Sequence, residues 1–122
     1  MREASILVVD DESMSVEVIS RFLGMKGHRV VGAGSAEEAS RRLRDGAFDF
    51  VLLDIVLPGI TGLQALAEFR KLTRAPIHVM SGDNDEEARR DALLLGAAGF
   101  FGKPLDLAEV AAAIAALPER AA

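Results

Sequence analysis

Short apolar runs alternate with longer segments of helical spacing along the whole chain. Runs rich in β-branched and aromatic residues predict five strands, at positions 6–9, 28–31, 48–53, 77–80 and 99–101. Several of these runs show little alternation between apolar and polar positions, which is typical of strands covered on both faces of a parallel sheet. The pattern therefore predicts a succession of strand–helix units.

Spacing and capping residues predict a helix after each strand. The apolar positions that mark the first and third helices are Val16, Ile19, Leu23, Leu63, Leu66, Phe69 and Leu72. Ser35 and Glu38 have the spacing of a capping box, in which Ser35 accepts from the backbone near Glu38 and Glu38 reaches back. Acidic residues at 83–87 suit the N-terminus of a fourth helix. Asp106 is a cap for an alanine-rich fifth helix, which is expected to run through Leu117.

Five such units predict an α/β fold, namely a (βα)5 doubly wound, parallel, five-stranded sheet with helices on both faces. The second strand leads into residues 32–34, which carry no functional side chain, so we expect that strand at an edge. No internal repeat or linker marks a boundary. Residues 1–122 are therefore expected to form one domain.

The composition excludes several classes of function. The 122 residues are 50% hydrophobic and 27% charged, which is typical of a globular domain. Cysteine is absent and there are two histidines, so disulfides and thiolate sites are excluded and a zinc site is disfavoured. The net charge of −5 disfavours direct binding to nucleic acid. Since there is neither a long apolar run nor a secretory signal, we expect a cytoplasmic protein without a membrane partner.

Polar side chains follow four of the five predicted strands. Asp10 and Asp11 follow the first strand, Asp54 the third, Ser81 the fourth and Lys103 the fifth. In open α/β sheets, ligands bind beyond the carboxyl ends of the strands. Each residue alone has a structural explanation as a helix cap, a turn former, a local hydrogen bonder or a solvated surface charge. Together they predict a single polar site.

The chemistry of this predicted site suits phosphoryl transfer. Carboxylates about 4 Å apart repel by roughly 4 kcal/mol at an effective dielectric near 20, so the cluster needs a cation. Oxygen ligands favour Mg²⁺, with Mn²⁺ as an acceptable substitute, and the adjacent Asp10 and Asp11 suit metal binding. Asp54, alone at its strand end, is the best acceptor, because a carboxylate can attack phosphorus and form an acyl phosphate. Lys103 and Ser81 can neutralise or hydrogen-bond the phosphoryl oxygens.

The motifs at these strand ends resemble those of the receiver domain of two-component response regulators. The resemblance extends from residue 6 to about residue 117, and the matching segments are 8–12, 54–62, 80–82 and 103–104. It implies a flavodoxin-like receiver fold with strand order 2-1-3-4-5. It also implies that Asp54 is the phosphoryl acceptor. Asp10 or Asp11, Asp54 and the backbone carbonyl of Val56 would bind Mg²⁺.

The same resemblance implies how the signal passes. The phosphoryl donor would be a histidine kinase, a histidine phosphotransfer protein or a small acyl phosphate. Ser81 would be the switch hydroxyl, Phe100 the aromatic switch residue, and the Lys103–Pro104 peptide bond would be cis. A purely structural role for Phe100 in the core is the alternative. The face formed by the fourth helix, fifth strand and fifth helix would control a partner or output domain, and a homodimer through that face is a further partner that the resemblance allows.

Two other functions fit parts of the pattern. A receiver-like module would bind partners without phosphorylation, although the complete set of acids, hydroxyl and lysine argues against it. A magnesium-dependent aspartyl phosphohydrolase usually has a second aspartate two residues after the nucleophile, where this chain has Val56. We therefore expect a signalling phosphoacceptor that catalyses only its own phosphorylation and dephosphorylation, rather than an enzyme acting on other substrates.

Overall fold

Five strands alternate with five helices in the computed structural model, which describes residues 3–82 and 86–118. The strands are β1 (Ser5–Val9), β2 (Arg29–Ala33), β3 (Phe50–Asp54), β4 (Ile77–Ser81) and β5 (Gly99–Gly102). The helices are α1 (Ser13–Met25), α2 (Ala36–Asp45), α3 (Gly62–Leu72), α4 (Glu86–Leu94) and α5 (Leu107–Ala115). The predicted sequence of five strand–helix units is confirmed.

The strands form one parallel sheet in the order β2-β1-β3-β4-β5. The predicted strand order and the edge position of β2 are therefore confirmed. The order reverses beside β1, where the chain passes from β2 at one edge to β3 on the other side. A crevice forms at such a reversal, beyond the carboxyl ends of β1 and β3.

Alternate residues of the central strands point to opposite faces of the sheet and build two separate cores. Leu7 and Leu53 pack with buried residues of α2, α3 and α4 on one face. Ile6 and Leu52 pack with buried residues of α1 and α5 on the other face. Because both faces are covered, β1 and β3 are apolar at nearly every position, which explains their lack of alternation.

Tertiary pairing moves some strand boundaries from the predicted positions. β2 ends two residues later than expected, because its last two residues pair with the end of β1. β3 begins at Phe50 rather than at residue 48. Just before it, the Asp49 N–H donates to the Ser5 carbonyl at 2.7 Å, and the Asp49 carboxylate accepts from the Ser5 N–H at 2.7 Å. These contacts fix where β3 enters the sheet beside β1.

The helix caps agree with the sequence in part. The Ser35 hydroxyl accepts from the Glu38 N–H at 3.1 Å, as predicted. The Glu38 carboxylate, however, accepts from the Gly34 N–H rather than from that of Ser35, so the box is not reciprocal. A complete capping box, which was not predicted, lies instead at Thr61 and Gln64, where α3 begins.

The last two helices also depart slightly from the prediction. Asp106 caps α5 by accepting from two backbone N–H groups, but the helix ends at Ala115 rather than at Leu117. Two of the predicted acidic residues, Asp83 and Asp85, lie outside the described residues, and α4 begins at Glu86. Across the described ranges, every helix is too short or too polar to cross a membrane.

Candidate functional site

Three predicted acidic residues converge at the carboxyl end of the sheet. Asp10 follows β1 and Asp54 ends β3, and the pairing of Val9 with Leu53 places these two strand ends side by side. One carboxylate oxygen from each of Asp10, Asp11 and Asp54 lies within 4.8 Å of the others. Asp10 and Asp54 are 1% and 6% exposed, whereas Asp11 is exposed. The predicted convergence of the three acids is therefore present.

Turns that follow the strands orient the two buried carboxylates. The Glu12 N–H donates to Asp10 Oδ1 at 3.0 Å, and the Val56 N–H donates to Asp54 Oδ1 at 2.9 Å. In both turns the side chain binds the backbone two residues further on, a local bond that aspartate makes readily. Each turn occupies one oxygen and so directs the other, Oδ2, to a different partner.

Lys103 is that partner for both carboxylates. Its ammonium donates to Asp54 Oδ2 at 2.7 Å and to Asp10 Oδ2 at 3.3 Å. The Lys103 side chain is 29% exposed. Its backbone N–H donates to the Ser81 carbonyl at 2.8 Å, which continues the β4–β5 ladder and places the lysine over the strand ends. The Lys103–Pro104 peptide bond is cis, as predicted.

Burial and charge act in opposite directions on this cluster. Burial raises the pKa of Asp10 above its ordinary value, and this effect outweighs the Glu12 N–H and the Lys103 charge, which lower it. Burial lowers the pKa of Lys103. The hydrogen bond and charge of Asp54, together with the charge of Asp10, raise this pKa by more than burial lowers it. The pKa of Lys103 therefore lies above its ordinary value. The ammonium stays charged at neutral pH and compensates the carboxylates.

The two predicted switch residues lie on neighbouring strands beside the acids. Ser81 is 3% exposed and follows Met80, the β4 residue that pairs with Asp54. Phe100 pairs with Val79 and packs, partly buried, against the core beneath α2, α3 and α4. Both residues therefore lie on strands next to the acidic cluster, and their switch role stays a prediction.

A groove of about 430 Å³, which no sequence motif predicted, opens beside the carboxylates. It lies between α1 and the segment after β5, and it reaches both Asp10 and Lys103. Met14 and Val18 on its α1 side are 72% and 51% exposed. The sequence holds one weak signal for this groove, because these two apolar residues are four apart and lie off the core-facing side of α1.

The cluster suits a divalent cation and an electrophilic phosphorus. Its carboxylates offer only oxygen donors, which is the ligand type that Mg²⁺ and Ca²⁺ prefer, and their spacing lets several contact one ion. The side chain of Val56 is 69% exposed at the rim, so the approach to Asp54 on that side is apolar. The residues present therefore fit the predicted metal.

Known proteins of similar sequence belong to one family. A family model described as the response regulator receiver domain matches residues 6–115. The transcriptional regulatory protein YvrH of Bacillus subtilis is 34% identical over 117 residues, covering 95% of this chain and 49% of that protein. The chain spans about half the length of the curated relatives it matches first.

Solved structures agree in fold. A two-component response regulator from Clostridium difficile superposes with a TM-score of 0.90 at 27% identity, covering 93% of each chain. A response regulator protein from Burkholderia pseudomallei, solved with a phosphorylated aspartic acid, a calcium ion and citrate, gives a TM-score of 0.86 at 27% identity. That match covers 91% of this chain and 66% of the other. With its strand order, its acidic pocket and these matches taken together, the chain belongs to the response regulator receiver domain family.

Proposed function

We propose that this chain is a phosphorylation-driven switch in which Asp54 accepts a phosphoryl group. Members of this family take phosphoryl groups from histidine kinases and regulate output domains. The observation that carries the proposal is the environment of Asp54. This nearly buried carboxylate has a backbone N–H on one oxygen, the Lys103 ammonium on the other, and two further carboxylates beside it.

The transfer makes one bond and breaks one. An Asp54 oxygen attacks phosphorus, the phosphorus–nitrogen bond of a phosphohistidine breaks, and the imidazole nitrogen keeps the electron pair. With an acyl phosphate, the phosphorus–oxygen bond breaks instead and a carboxylate leaves. The ammonium of Lys103 exchanges Asp54 Oδ2 for a phosphoryl oxygen and so remains paired with negative charge. The product is an acyl phosphate on Asp54.

A divalent cation belongs to this proposal. Asp10, Asp11 and Asp54 would hold Mg²⁺, with the backbone carbonyl of Val56 as a further ligand and Mn²⁺ as a substitute. When bound, the ion neutralises charge on the phosphoryl oxygens. The support from this chain is the spacing of the three carboxylates within 4.8 Å.

The output would be a change in the surface formed by α4, β5 and α5. Phosphorylation replaces the single negative charge of the Asp54 carboxylate by a phosphoryl group that carries roughly −1.5 to −2 and lies next to Ser81, whose hydroxyl then donates to a phosphoryl oxygen. Phe100 moves toward the space that this rearrangement opens. A partner or output domain with different affinities for the two arrangements reads the change, since only differential affinity can shift such an equilibrium.

The groove beside the site would receive the phosphoryl donor. A donor must bring its phosphorus to Asp54, and the groove offers an apolar surface that adjoins Asp10 and Lys103. Met14 and Val18 offer exposed apolar area on α1. We therefore assign this surface to a histidine kinase or phosphotransfer protein rather than to the output partner.

Labelling with acetyl phosphate tests the acceptor. The wild-type protein and the variants Asp54→Asn and Asp45→Asn are incubated with Mg²⁺ and acetyl phosphate, and intact-mass spectrometry counts the phosphoryl groups. Asp45, an exposed aspartate at the end of α2, is the matched control. We expect one phosphoryl group on the wild-type and control proteins and none on Asp54→Asn. Equal labelling of all three would overturn the assignment, and sustained multiple turnover of a phosphate ester would point to a hydrolase.

A further inference from the structure

The ring of Phe100 has a cation over its face. The Cζ atom of Arg89, on α4, lies 5.9 Å from the centroid of the Phe100 ring. A guanidinium within about 6 Å of an aromatic centroid is attracted by the negative face of the ring. Arg89 is exposed and Phe100 is partly buried, so the pair lies at the boundary between the α4 surface and the core.

The ring of Phe100 cannot hydrogen-bond, and the chain contains no tyrosine. The position of the ring is therefore set by apolar contacts and by what lies over its face. One set of contacts is with the core beneath α2, α3 and α4, which the ring joins from the edge. The other is with the Arg89 guanidinium. A ring that moved deeper would gain apolar contacts and leave the cation behind.

We propose that Arg89 is a positioning residue that holds Phe100 in its outer arrangement and so opposes activation. This inference rests on the proposed switch function. The cation–π contact stabilises the outer position of the phenylalanine ring. A hydroxyl hydrogen bond would have the same effect on a tyrosine ring. Arg89 lies in the first turn of α4, the helix that follows the Ser81 strand in the chain. A displacement of that helix start loosens the contact and releases the ring.

The expected size of the effect is modest. An exposed cation–π contact contributes about 0.5–1 kcal/mol, which corresponds to about a two- to five-fold change in the ratio of inner to outer ring positions. Arg89→Met keeps an apolar stem of similar reach and removes the cation. Arg89→Lys keeps a cation and should stay close to wild type. Arg90→Met removes the same charge from a neighbouring exposed position and is the matched control.

The first measurement follows the ring itself. The protein is labelled with 4-fluorophenylalanine, its Phe100 signal is identified with Phe100→Leu, and the fluorine relaxation caused by a dissolved neutral nitroxide reports exposure of the ring. We expect Arg89→Met to reduce this relaxation at Phe100, and Arg90→Met to leave it unchanged. Unchanged exposure in Arg89→Met overturns the proposal, whatever happens at Asp54.

The second measurement follows the coupling to phosphorylation. The initial rate of labelling by acetyl phosphate should rise about two- to five-fold in Arg89→Met, and this rise should vanish when Phe100→Leu is also present. The same rise in the Phe100→Leu background would show that Arg89 acts without the ring, and would overturn the proposal. Labelling of Asp54→Asn at the wild-type level would instead overturn the proposed function, and the fluorine measurement would still decide the role of Arg89.

Discussion

Replacing Lys103 by methionine removes the charge that compensates two carboxylates and keeps a side chain of similar length. The ammonium lies 2.7 Å from Asp54 Oδ2 and 3.3 Å from Asp10 Oδ2. At these distances the unit-charge attractions are roughly 6 and 5 kcal/mol for an effective dielectric near 20. Desolvation of the three groups offsets most of that attraction. The net contribution of Lys103 to the free energy of unfolding is therefore far smaller than the sum of the two attractions.

The net loss can be bounded from the structure. Hydrogen bonds to charged groups contribute about 1.5–3 kcal/mol to stability, and more when both partners are fully buried. The Lys103 side chain is 29% exposed, so water can take over part of its interaction with the carboxylates in the variant. Asp10 is only 1% exposed, so its carboxylate has little access to that water. We expect Lys103→Met to lower the free energy of unfolding by about 2 kcal/mol in the absence of divalent ions.

Urea unfolding in EDTA and in Mg²⁺ measures this loss. With a typical dependence on urea of about 1–3 kcal/mol per M, the midpoint should fall by about 1 M in EDTA. Saturating Mg²⁺ should raise the urea midpoint of Lys103→Met more than that of wild type, because the carboxylates of the variant have no lysine to compensate them. An ion that binds only the folded state stabilises that state.

The control is Lys71→Met. Lys71 is an exposed lysine whose nearest acid, Glu68, lies 3.8 Å away on the same helix, and exposed pairs of this kind contribute little. If Lys103→Met and Lys71→Met unfold at the same urea concentration in EDTA, the compensation argument is refuted. An equal response of wild type and Lys103→Met to Mg²⁺ would refute the idea that lysine and metal share these carboxylates.

Further predictions concern pH and packing. Burial lowers the pKa of His28 and of His78, and each has a buried ring nitrogen without a hydrogen-bond partner within the described residues. Near pH 6.5 the histidines therefore take up protons in the unfolded chain but not in the folded protein. The free energy of unfolding should consequently fall as the pH drops from about 7 to 5. The fall is at most about 1.4 kcal/mol per pH unit for each histidine. Urea melts across this range should show a shallower slope for His78→Leu, and an unchanged slope would contradict the assignment. Gly62→Ala should destabilise the protein by about 1–3 kcal/mol or more, because an added Cβ would lie 2.2 Å from the backbone of Ile55. Gly24→Ala, where nothing lies within 4 Å, should instead be neutral or stabilising by up to about 1 kcal/mol, and equal thermal shifts for the two variants would contradict this reasoning.

Local sequence determined the elements and the chemistry of the strand ends. The alternation of apolar runs with helical spacing predicted all five strand–helix units, because the periodicity of side chains follows directly from backbone geometry. The rule that parallel strands end at one edge predicted that Asp10, Asp11 and Asp54 would meet, and they do. The short side chains of Asp10 and Asp54 also favour the local turns that hold each Oδ1, since those bonds reach only two residues along the chain.

Tertiary structure decided the individual contacts and the strand ends that depend on residues far apart in sequence. The exact ends of β2 and β3 depend on their pairing with β1, which no local pattern encodes. Lys103 reaches carboxylates 49 and 93 positions away, so its double contact depends on strand order and on the length of its side chain. The groove beside α1 and the placement of Arg89 over Phe100 arise for the same reason. Each is a contact between elements whose relative position is set by packing on the sheet, and that packing is a property of the whole chain.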